Sequence, residues 1–184
     1  MKKYVIFAGV NGAGKTTLYQ TNEEYLDLPR INLDEIVRGI GSWKNSRDIS
    51  EAGIIAVREI RRLFDEGRSF NQETTLCGHS IFRNIFKAKE LGYSIELSYV
   101  GLRTAEIAIE RVAQRVRDGG HGIPEEDIRR RYNESLINLK KIIPFCDRAR
   151  IYDNTQRFGI VAVFNNGVCV DRIDDIPDWC DGIV

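Results

Sequence analysis

The 184-residue sequence has no excess of charge of either sign, which argues against two common classes of partner. Lysine and arginine together number 27, and aspartate and glutamate also number 27, so the formal net charge is zero. A chain without net charge has no overall field that attracts nucleic acid or an anionic membrane surface. It also lacks a basic stripe with interleaved aromatic residues. We therefore expect neither nucleic acid nor a membrane as a partner, and any bound anion must be held by a local group of side chains.

Cysteine is scarce and scattered. No two of the four cysteines are spaced closely enough to suggest a zinc site. They are Cys77, Cys146, Cys169 and Cys180. The first apolar run is too short for a secretory or membrane segment. Thiols without a signal peptide fit a reducing compartment, so we expect a cytoplasmic protein.

Repeats and low-complexity linkers are also absent, and a chain of this length suits one domain over residues 1–184. Short apolar runs alternate with helical patterns, which predicts an α/β fold whose ligands bind at the carboxyl ends of parallel strands. Strands are expected at residues 4–9, 30–32, 69–73, 95–100 and 150–152. Helices are expected at 16–26, from 33, and at 49–64, 81–91, 104–117 and 125–141, with Thr104 as an N-cap. Residues 160–164 and 168–170 flank Asn165-Asn166-Gly167 and predict a C-terminal β-hairpin.

The first expected strand runs directly into Gly9-Val10-Asn11-Gly12-Ala13-Gly14-Lys15-Thr16. Gly, four free positions and Gly-Lys-Thr, between a strand and a helix, is the pattern of the phosphate loop (P-loop). Its backbone N–H groups and the following helix N-terminus would face a phosphate. Lys15 would reach the β and γ phosphates, and the Thr16 hydroxyl would ligate Mg²⁺. The predicted nucleotide-binding residues here are Gly9, Asn11, Gly12, Ala13, Gly14, Lys15, Thr16 and Thr17. A glycine-rich turn after an edge strand is the alternative.

Two carboxylates are expected at the same edge of the sheet. Asp34 follows the second strand and could accept or orient the proton of an attacking hydroxyl. Its alternative role is the N-cap of the helix that begins there. Glu73 ends the third strand, before Thr74 and Thr75, and could hold a substrate hydroxyl or a metal-bound water. Its alternative is a solvated strand end; no apolar run ending in Asp offers a clearer second Mg²⁺ partner.

Arginine replaces lysine completely between residues 89 and 140. The planar fork of arginine suits phosphate oxygens. Arg111 and Arg115 share a helix face, and Arg131 lies on the next helix, beyond the glycines at 119–120. Two helices joined by glycines predict a lid over about residues 104–141, with Arg111 and Arg115 on the nucleotide and Arg115 and Arg131 on the transferring phosphoryl group. The alternative is a solvated hairpin whose arginines pair with glutamates.

Two further side chains have two interpretations each. His121, next to the lid glycines, could contact phosphate or gate the hinge, or it could be an ordinary loop histidine. Trp43 could line a substrate pocket, although a single aromatic residue in a loop is a weak signal.

With these residues in view, the sequence resembles the zeta-toxin-like kinases, small P-loop phosphotransferases. The matching segments run in order along nearly the whole chain, at 9–17, 31–35, 73–76, 111–116, 119–121, 130–132 and 152–154. The resemblance implies a three-layer P-loop sandwich with parallel strands in the order 2-3-1-4-5, ATP or GTP, and Mg²⁺. It also implies phosphate and metal binding by Lys15 and Thr16, Asp34 as the base, and substrate binding by Glu73, Thr74 and Thr75.

The same resemblance implies an acceptor and a partner. Zeta toxins proper phosphorylate the 3′-hydroxyl of UDP-N-acetylglucosamine, so a nucleotide sugar is the expected acceptor and an antitoxin the expected partner protein. This chain is shorter than the larger toxins and has Cys77 and His79 where relatives often have Ser and Arg. Its arginine pattern better matches a short, lid-bearing branch of the family. The predicted function is ATP-dependent phosphorylation of a small-molecule hydroxyl. The alternatives are an NTPase switch that uses water as acceptor, and a nucleotide-binding module without turnover.

Overall fold

The computed structural model describes all residues from 1 to 184, and its centre is a single seven-stranded sheet. The strands are β1 (Lys3–Ala8), β2 (Arg30–Ile31), β3 (Phe70–Thr74), β4 (Ser94–Gly101), β5 (Arg148–Asp153), β6 (Gly159–Asn165) and β7 (Val168–Arg172). The helices are α1 (Lys15–Gln20), α2 (Leu33–Ile40), α3 (Ser46–Asp65), α4 (Ser80–Glu90), α5 (Ala105–Arg117) and α6 (Glu125–Ile142).

The strand order is β2-β3-β1-β4-β5-β6-β7. The first five strands pair in parallel and in the predicted order, so the expected α/β class and core topology are confirmed. The predicted hairpin is also present, and Asn166 and Gly167 form its turn with φ of 48° and 77°. Its first strand pairs antiparallel with β5, so the hairpin extends the sheet instead of standing apart from it.

The central strand β1 is buried on both faces, as a short continuous apolar run requires. Tyr4, Ile6 and Ala8 pack in one apolar cluster, with residues of α3, α4 and the second half of α6. Val5 and Phe7 pack in the other, with residues of α1, α5 and the start of α6. Helices therefore cover both sheet faces, and the loop after β1 lies in the middle of the carboxyl edge of the sheet.

Three predicted helix features are corrected by the structure. The first helix ends at Gln20 and not near residue 26, because the side chains of Thr21 and Asn22 both donate to the Leu18 carbonyl, at 2.9 and 2.6 Å, in competition with the backbone. A short 3₁₀ turn follows at Glu23–Tyr25. The third helix begins at Ser46, three residues before the predicted start, where the Asn45 side chain accepts from the Arg47 N–H at 3.0 Å. Thr104 precedes α5, but its side chain makes no capping hydrogen bond.

The two halves of α6 have different surroundings. Leu139 and Ile142 are fully buried in the larger cluster, the Ser135 hydroxyl bonds the Tyr99 hydroxyl at 2.9 Å, and Asn138 Nδ2 donates to the Leu76 carbonyl at 2.8 Å. This half of the helix is thus anchored in the core. A lid that opens would involve α5, the loop after it and the first half of α6, which is a smaller segment than residues 104–141.

None of the six helices combines the length and apolar content that crossing a membrane requires.

Candidate active site

The loop between β1 and α1 forms a cradle that only glycine permits at three positions, Gly9, Gly12 and Gly14. Gly12 and Gly14 have φ of 78° and 103°, in the left-handed region. A Cβ on Gly12 would lie 2.9 Å from the Ala108 carbonyl oxygen, and one on Gly14 would lie 2.6 Å from Asn154 Nδ2. The cradle is therefore closed on one side by α5 and on the other by the segment after β5.

Lys15 follows the cradle and is folded over it. Its Nζ donates to the Val10 carbonyl at 3.1 Å, inside the loop, and its side chain is buried. Burial lowers the pKa of Lys15, while the negative charges of Glu73 and Asp34 oppose that shift. This arrangement places a cation, which a phosphate would partner, next to both predicted carboxylates.

The Glu73 carboxylate accepts hydrogen bonds from several side chains at the carboxyl edge of the sheet. Thr16 Oγ1 donates to its Oε2 at 3.1 Å, and Lys15 Nζ lies 4.0 Å from its Oε1. Arg30 Nη2 and Asn32 Nδ2 also donate to Oε2, at 2.6 and 3.1 Å. Its side chain is only 10% exposed, so the alternative of a solvated strand end is wrong.

Sequence reasoning missed Arg30 and Asn32, two of the residues that donate to Glu73. The Arg30 guanidinium lies 3.6 Å from the Tyr19 ring centroid and also bonds Glu35 Oε1 at 2.9 Å. The available signal was a charged residue in a very short strand, just before the predicted site residues. Its partner Glu73 lies 43 residues away in the chain, so no local pattern indicates the pair.

The N-cap of α2 is Asn32 and not Asp34. Asn32 Oδ1 accepts from the backbone N–H groups of Asp34 and Glu35, at 2.8 and 3.4 Å. The capping alternative for Asp34 is therefore wrong, and its carboxylate is left available. Asp34 Oδ2 lies 3.5 Å from His121 Nε2, and its charge acts on Lys15, so the side chain is on the P-loop side of the helix.

The loop after α5 lies against this carboxylate through His121. Arg115 donates twice to this residue, from Nε to the backbone carbonyl at 3.1 Å and from Nη2 to the ring Nε2 at 3.2 Å. The imidazole stacks on Trp43, with centroids 4.2 Å apart and an interplanar angle of 8°. Trp43 Nε1 is the one buried side-chain nitrogen or oxygen without a hydrogen-bond partner. Trp43 and His121 thus join the α2–α3 connection to the predicted lid.

Besides Arg115, which bonds His121, the arginines of α5 and α6 divide into two groups. Arg131 Nη1 donates to Asn11 Oδ1 at 3.1 Å, and Arg111 Nη2 donates to the Asn154 carbonyl at 2.7 Å. Both therefore reach the P-loop or the segment that closes it, since Asn154 Nδ2 donates to the Ala13 carbonyl at 2.8 Å. Arg129, Arg130 and Arg117 are exposed and bond neighbouring side chains: Arg129 bonds Glu106 as the solvated-hairpin alternative describes, Arg130 bonds Asp127 and Glu134, and Arg117 bonds Gln114.

The predicted substrate threonines form a turn at the end of β3. Thr74 Oγ1 accepts from the Leu76 N–H at 3.0 Å, and the Thr75 carbonyl accepts from Cys77 Sγ at 3.5 Å. Leu76 is buried with φ of 64°, a strained conformation for leucine that its fixed surroundings maintain. Thr17 is exposed on the first turn of α1. Roles for Thr17, Thr74 and Thr75 in ligand binding remain predictions.

The family model described as Zeta toxin matches residues 1–168. This chain belongs to the zeta toxin family. A relative from Haemophilus influenzae, described as an uncharacterized protein, is 32% identical over 130 residues, which cover 71% of this chain and 92% of that relative. The resemblance inferred from the sequence motifs is therefore confirmed.

Two solved structures show the similarity of fold. AvrRxo1-ORF1:-ORF2 with ATP superposes on this zeta toxin family chain with a TM-score of 0.72 and 18% identity, covering 92% of this chain and 60% of that one. The PezAT toxin–antitoxin system of Streptococcus pneumoniae gives a TM-score of 0.62 and 16% identity, covering 97% and 75%. At these identities the likeness confirms the fold. This chain spans 60% of the AvrRxo1 chain that it matches.

Proposed function

We propose that this zeta toxin family member is a kinase that transfers the γ-phosphoryl group of ATP, or of GTP, to a hydroxyl of a small molecule. The observation that carries the proposal is the position of the Asp34 carboxylate. Asn32 caps α2 in its place, and the Asp34 carboxylate lies 3.5 Å from His121 Nε2 and close enough to Lys15 for its charge to raise the pKa of that side chain. A base next to a P-loop lysine is the arrangement that phosphoryl transfer to a hydroxyl needs.

The residues present fit a nucleoside triphosphate and Mg²⁺. The glycine cradle and Lys15 offer N–H groups and a cation to phosphate oxygens. The Thr16 hydroxyl and the adjacent Glu73 carboxylate offer the oxygen ligands that Mg²⁺ prefers, directly or through water. When bound there, Mg²⁺ would neutralise phosphate charge. The main chain of Gly9, Asn11, Gly12, Ala13 and Gly14, with Thr17 and Arg111, would complete the nucleotide site.

In the proposed reaction, Asp34 accepts the proton of the acceptor hydroxyl. The acceptor oxygen forms a bond to the γ-phosphorus as the bond from that phosphorus to the bridging oxygen breaks, and the nucleoside diphosphate leaves. Arg115 and Arg131 stabilise the charge on the transferring group, together with Lys15. The protein contributes mainly position and charge, as is usual for phosphoryl transfer.

The test is an incubation with ATP or GTP, Mg²⁺ and a panel of sugar nucleotides and metabolites, with phosphorylated products scored by mass spectrometry. We expect Asp34→Asn to lower product formation by about 10²–10⁴-fold while nucleotide binding persists. Asp65→Asn is the matched control, because Asp65 is exposed at the end of α3. Equal rates for wild type and Asp34→Asn would contradict the proposal. Rapid ATP hydrolysis that no acceptor increases would favour the NTPase alternative.

We extend the proposal to an acceptor and a partner. A nucleotide sugar such as UDP-N-acetylglucosamine is the first acceptor to test, because this chain belongs to the zeta toxin family. An antitoxin protein is the proposed partner, because two proteins of similar fold are described in complexes, AvrRxo1-ORF1 with ORF2 and PezAT as a toxin–antitoxin system. Co-purification with the product of a neighbouring reading frame would test the second proposal.

A further inference from the structure

One ring nitrogen of His121 has two neighbours with opposite hydrogen-bonding requirements. His121 Nε2 lies 3.2 Å from Arg115 Nη2 and 3.5 Å from Asp34 Oδ2. A guanidinium can only donate a hydrogen bond, and an ionised carboxylate can only accept one. The nitrogen therefore accepts a hydrogen bond from Arg115 when it carries a lone pair, and donates one to Asp34 when it carries a proton. It cannot bond both partners at the same time.

Other contacts hold the ring in place in either state. The imidazole stacks on Trp43, and the backbone carbonyl of His121 accepts from Arg115 Nε at 3.1 Å. Neither contact involves Nε2. The position of the ring is thus set by its surroundings, and the presence or absence of a proton on Nε2 selects the partner.

We propose that His121 is a positioning residue for phosphoryl transfer: in its neutral form with the proton on Nδ1, the tautomer that Arg115 selects because a guanidinium can only donate, it holds the Arg115 guanidinium near the P-loop lysine and leaves the Asp34 carboxylate to the acceptor hydroxyl. Protonation transfers its hydrogen bond from Arg115 to Asp34. The carboxylate is then occupied, and the lid arginine loses one of its two anchors. This inference rests on the proposed kinase function of the same site.

Burial of the ring favours the neutral form near pH 7. Asp34 and Arg38 face it from α2, and Arg115 faces it from α5; Trp43 adds no charge. Burial lowers the pKa of His121 below its usual 6.5, Arg115 and Arg38 act in the same direction, and Asp34 opposes them. The productive pairing with Arg115 is therefore present at neutral pH and is lost as the pH falls through this lowered pKa.

The first test reads the proton on His121 without any enzyme assay. The chain has two tryptophans, so Trp179→Phe leaves Trp43 as the only indole. A protonated imidazole stacked on an indole quenches its fluorescence, so Trp43 emission is expected to fall as the pH is lowered, with a midpoint below 6.5. His121→Gln in the same background should abolish this transition. If Trp179→Phe does not fold, the difference between wild-type and Trp43→Phe spectra gives the same titration.

The second test separates positioning from stacking. Gln places a carbonyl oxygen near the site of Nε2 and cannot become charged. Phe keeps a ring stacked on Trp43 but has no hydrogen-bond acceptor for Arg115. We expect His121→Gln to retain most of kcat and to lose the acid limb of the kcat profile that matches the fluorescence midpoint. His121→Phe should lower kcat by about 10²-fold, because a misplaced catalytic group can cost that much. Arg129→Gln, an exposed lid arginine, is the control and should match wild type.

The outcomes distinguish this inference from the proposed function. A fluorescence transition that survives in His121→Gln, or a His121→Phe variant at least as active as His121→Gln, would overturn it. If the fluorescence transition behaves as expected but wild type phosphorylates no acceptor, the kinase proposal fails, and the positioning role of His121 in phosphoryl transfer fails with it. The proton-dependent pairing of His121 would still be supported.

Discussion

Arg30 Nη2 lies 2.6 Å from Glu73 Oε2, and the two side chains are only 9% and 10% exposed. The same guanidinium stacks on Tyr19 of α1, so this ion pair connects β2 and β3 to the helix that follows the P-loop. Glu73 in turn accepts from the Thr16 hydroxyl at 3.1 Å. Arg30 therefore fixes the position of the Glu73 carboxylate, which is one of the proposed Mg²⁺ partners.

The first prediction concerns Arg30→Lys, which keeps the charge but removes the planar fork that serves Glu73 and Glu35 together. We expect the free energy of unfolding to fall by about 2 kcal/mol, the scale of a hydrogen bond to a charged group. We also expect the Mg²⁺ concentration needed for half-maximal nucleotide binding to rise several-fold. Urea unfolding and a Mg²⁺ titration of nucleotide binding measure the two effects. Arg129→Lys is the control, and an unchanged Mg²⁺ requirement in Arg30→Lys would contradict this role.

Local motifs made most of the nucleotide half of the site predictable. The residues from Gly9 to Thr16 are consecutive, so their spacing alone identifies the P-loop. The alternation of strands and helices likewise indicated the parallel sheet, and the Asn-Gly pair indicated the hairpin.

What the sequence could not settle depends on contacts between distant segments. Asn32 and Asp34 are both good N-cap residues two positions apart, and only the backbone geometry determines that Asn32 caps α2. Arg30 and Glu73 are far apart in the chain, and so are Trp43 and His121. The placement of the hairpin against β5 is also a tertiary choice, because the turn chemistry fixes only the pairing of β6 with β7.

The second prediction concerns Gly120, which follows the C-terminus of α5. Its N–H donates to the Arg115 carbonyl at 2.8 Å, and a Cβ there would lie 2.6 Å from Arg115 Cγ and 2.9 Å from its carbonyl oxygen. Gly120→Ala must therefore displace Arg115. We expect kcat to fall by about 10²-fold, because small displacements of a phosphoryl-stabilising group are costly, while nucleotide affinity changes less.

The matched control for that substitution is Gly53→Ala, in the interior of α3. A Cβ at Gly53 would meet nothing within 4 Å, so this change should leave kcat unaltered and stabilise the protein by about 0.5–1 kcal/mol. Steady-state kinetics and thermal unfolding of the two variants, measured together, check both statements. Wild-type kcat in Gly120→Ala would show that Arg115 need not occupy its present position.

The third prediction concerns the four free thiols. Burial raises the pKa of both Cys146 and Cys180 to about 12 and also raises that of Cys77, while Cys169 is exposed on β7. Because the thiolate is the reactive form, a raised pKa keeps the buried groups protonated and slow at pH 8. We expect one fast thiol in a reaction with a disulfide reagent, removed by Cys169→Ser, and four in denaturant. A second fast thiol in the native protein would contradict the burial of these groups.

The fourth prediction concerns Gly101 at the end of β4, where the C-terminal segment covers the sheet. A Cβ on Gly101 would lie 2.1 Å from Trp179 Cη2, and Trp179 Nε1 donates to Asp153 Oδ1 at 2.8 Å. The same carboxylate oxygen accepts from the Thr155 hydroxyl at 2.6 Å, beside the segment that closes the P-loop. Trp179 lies beyond the family match at 1–168.

Gly101→Ala should therefore destabilise the protein by about 1–3 kcal/mol, the usual cost of overpacking, and weaken nucleotide binding several-fold through Asp153. Urea unfolding and a nucleotide titration measure the two losses. The double variant Gly101→Ala with Trp179→Ala is the decisive comparison, because without the indole the added methyl group has space. The two changes should then be far from additive, with an interaction energy of about 1 kcal/mol or more. Additive losses would mean that the methyl group clashes with something other than Trp179.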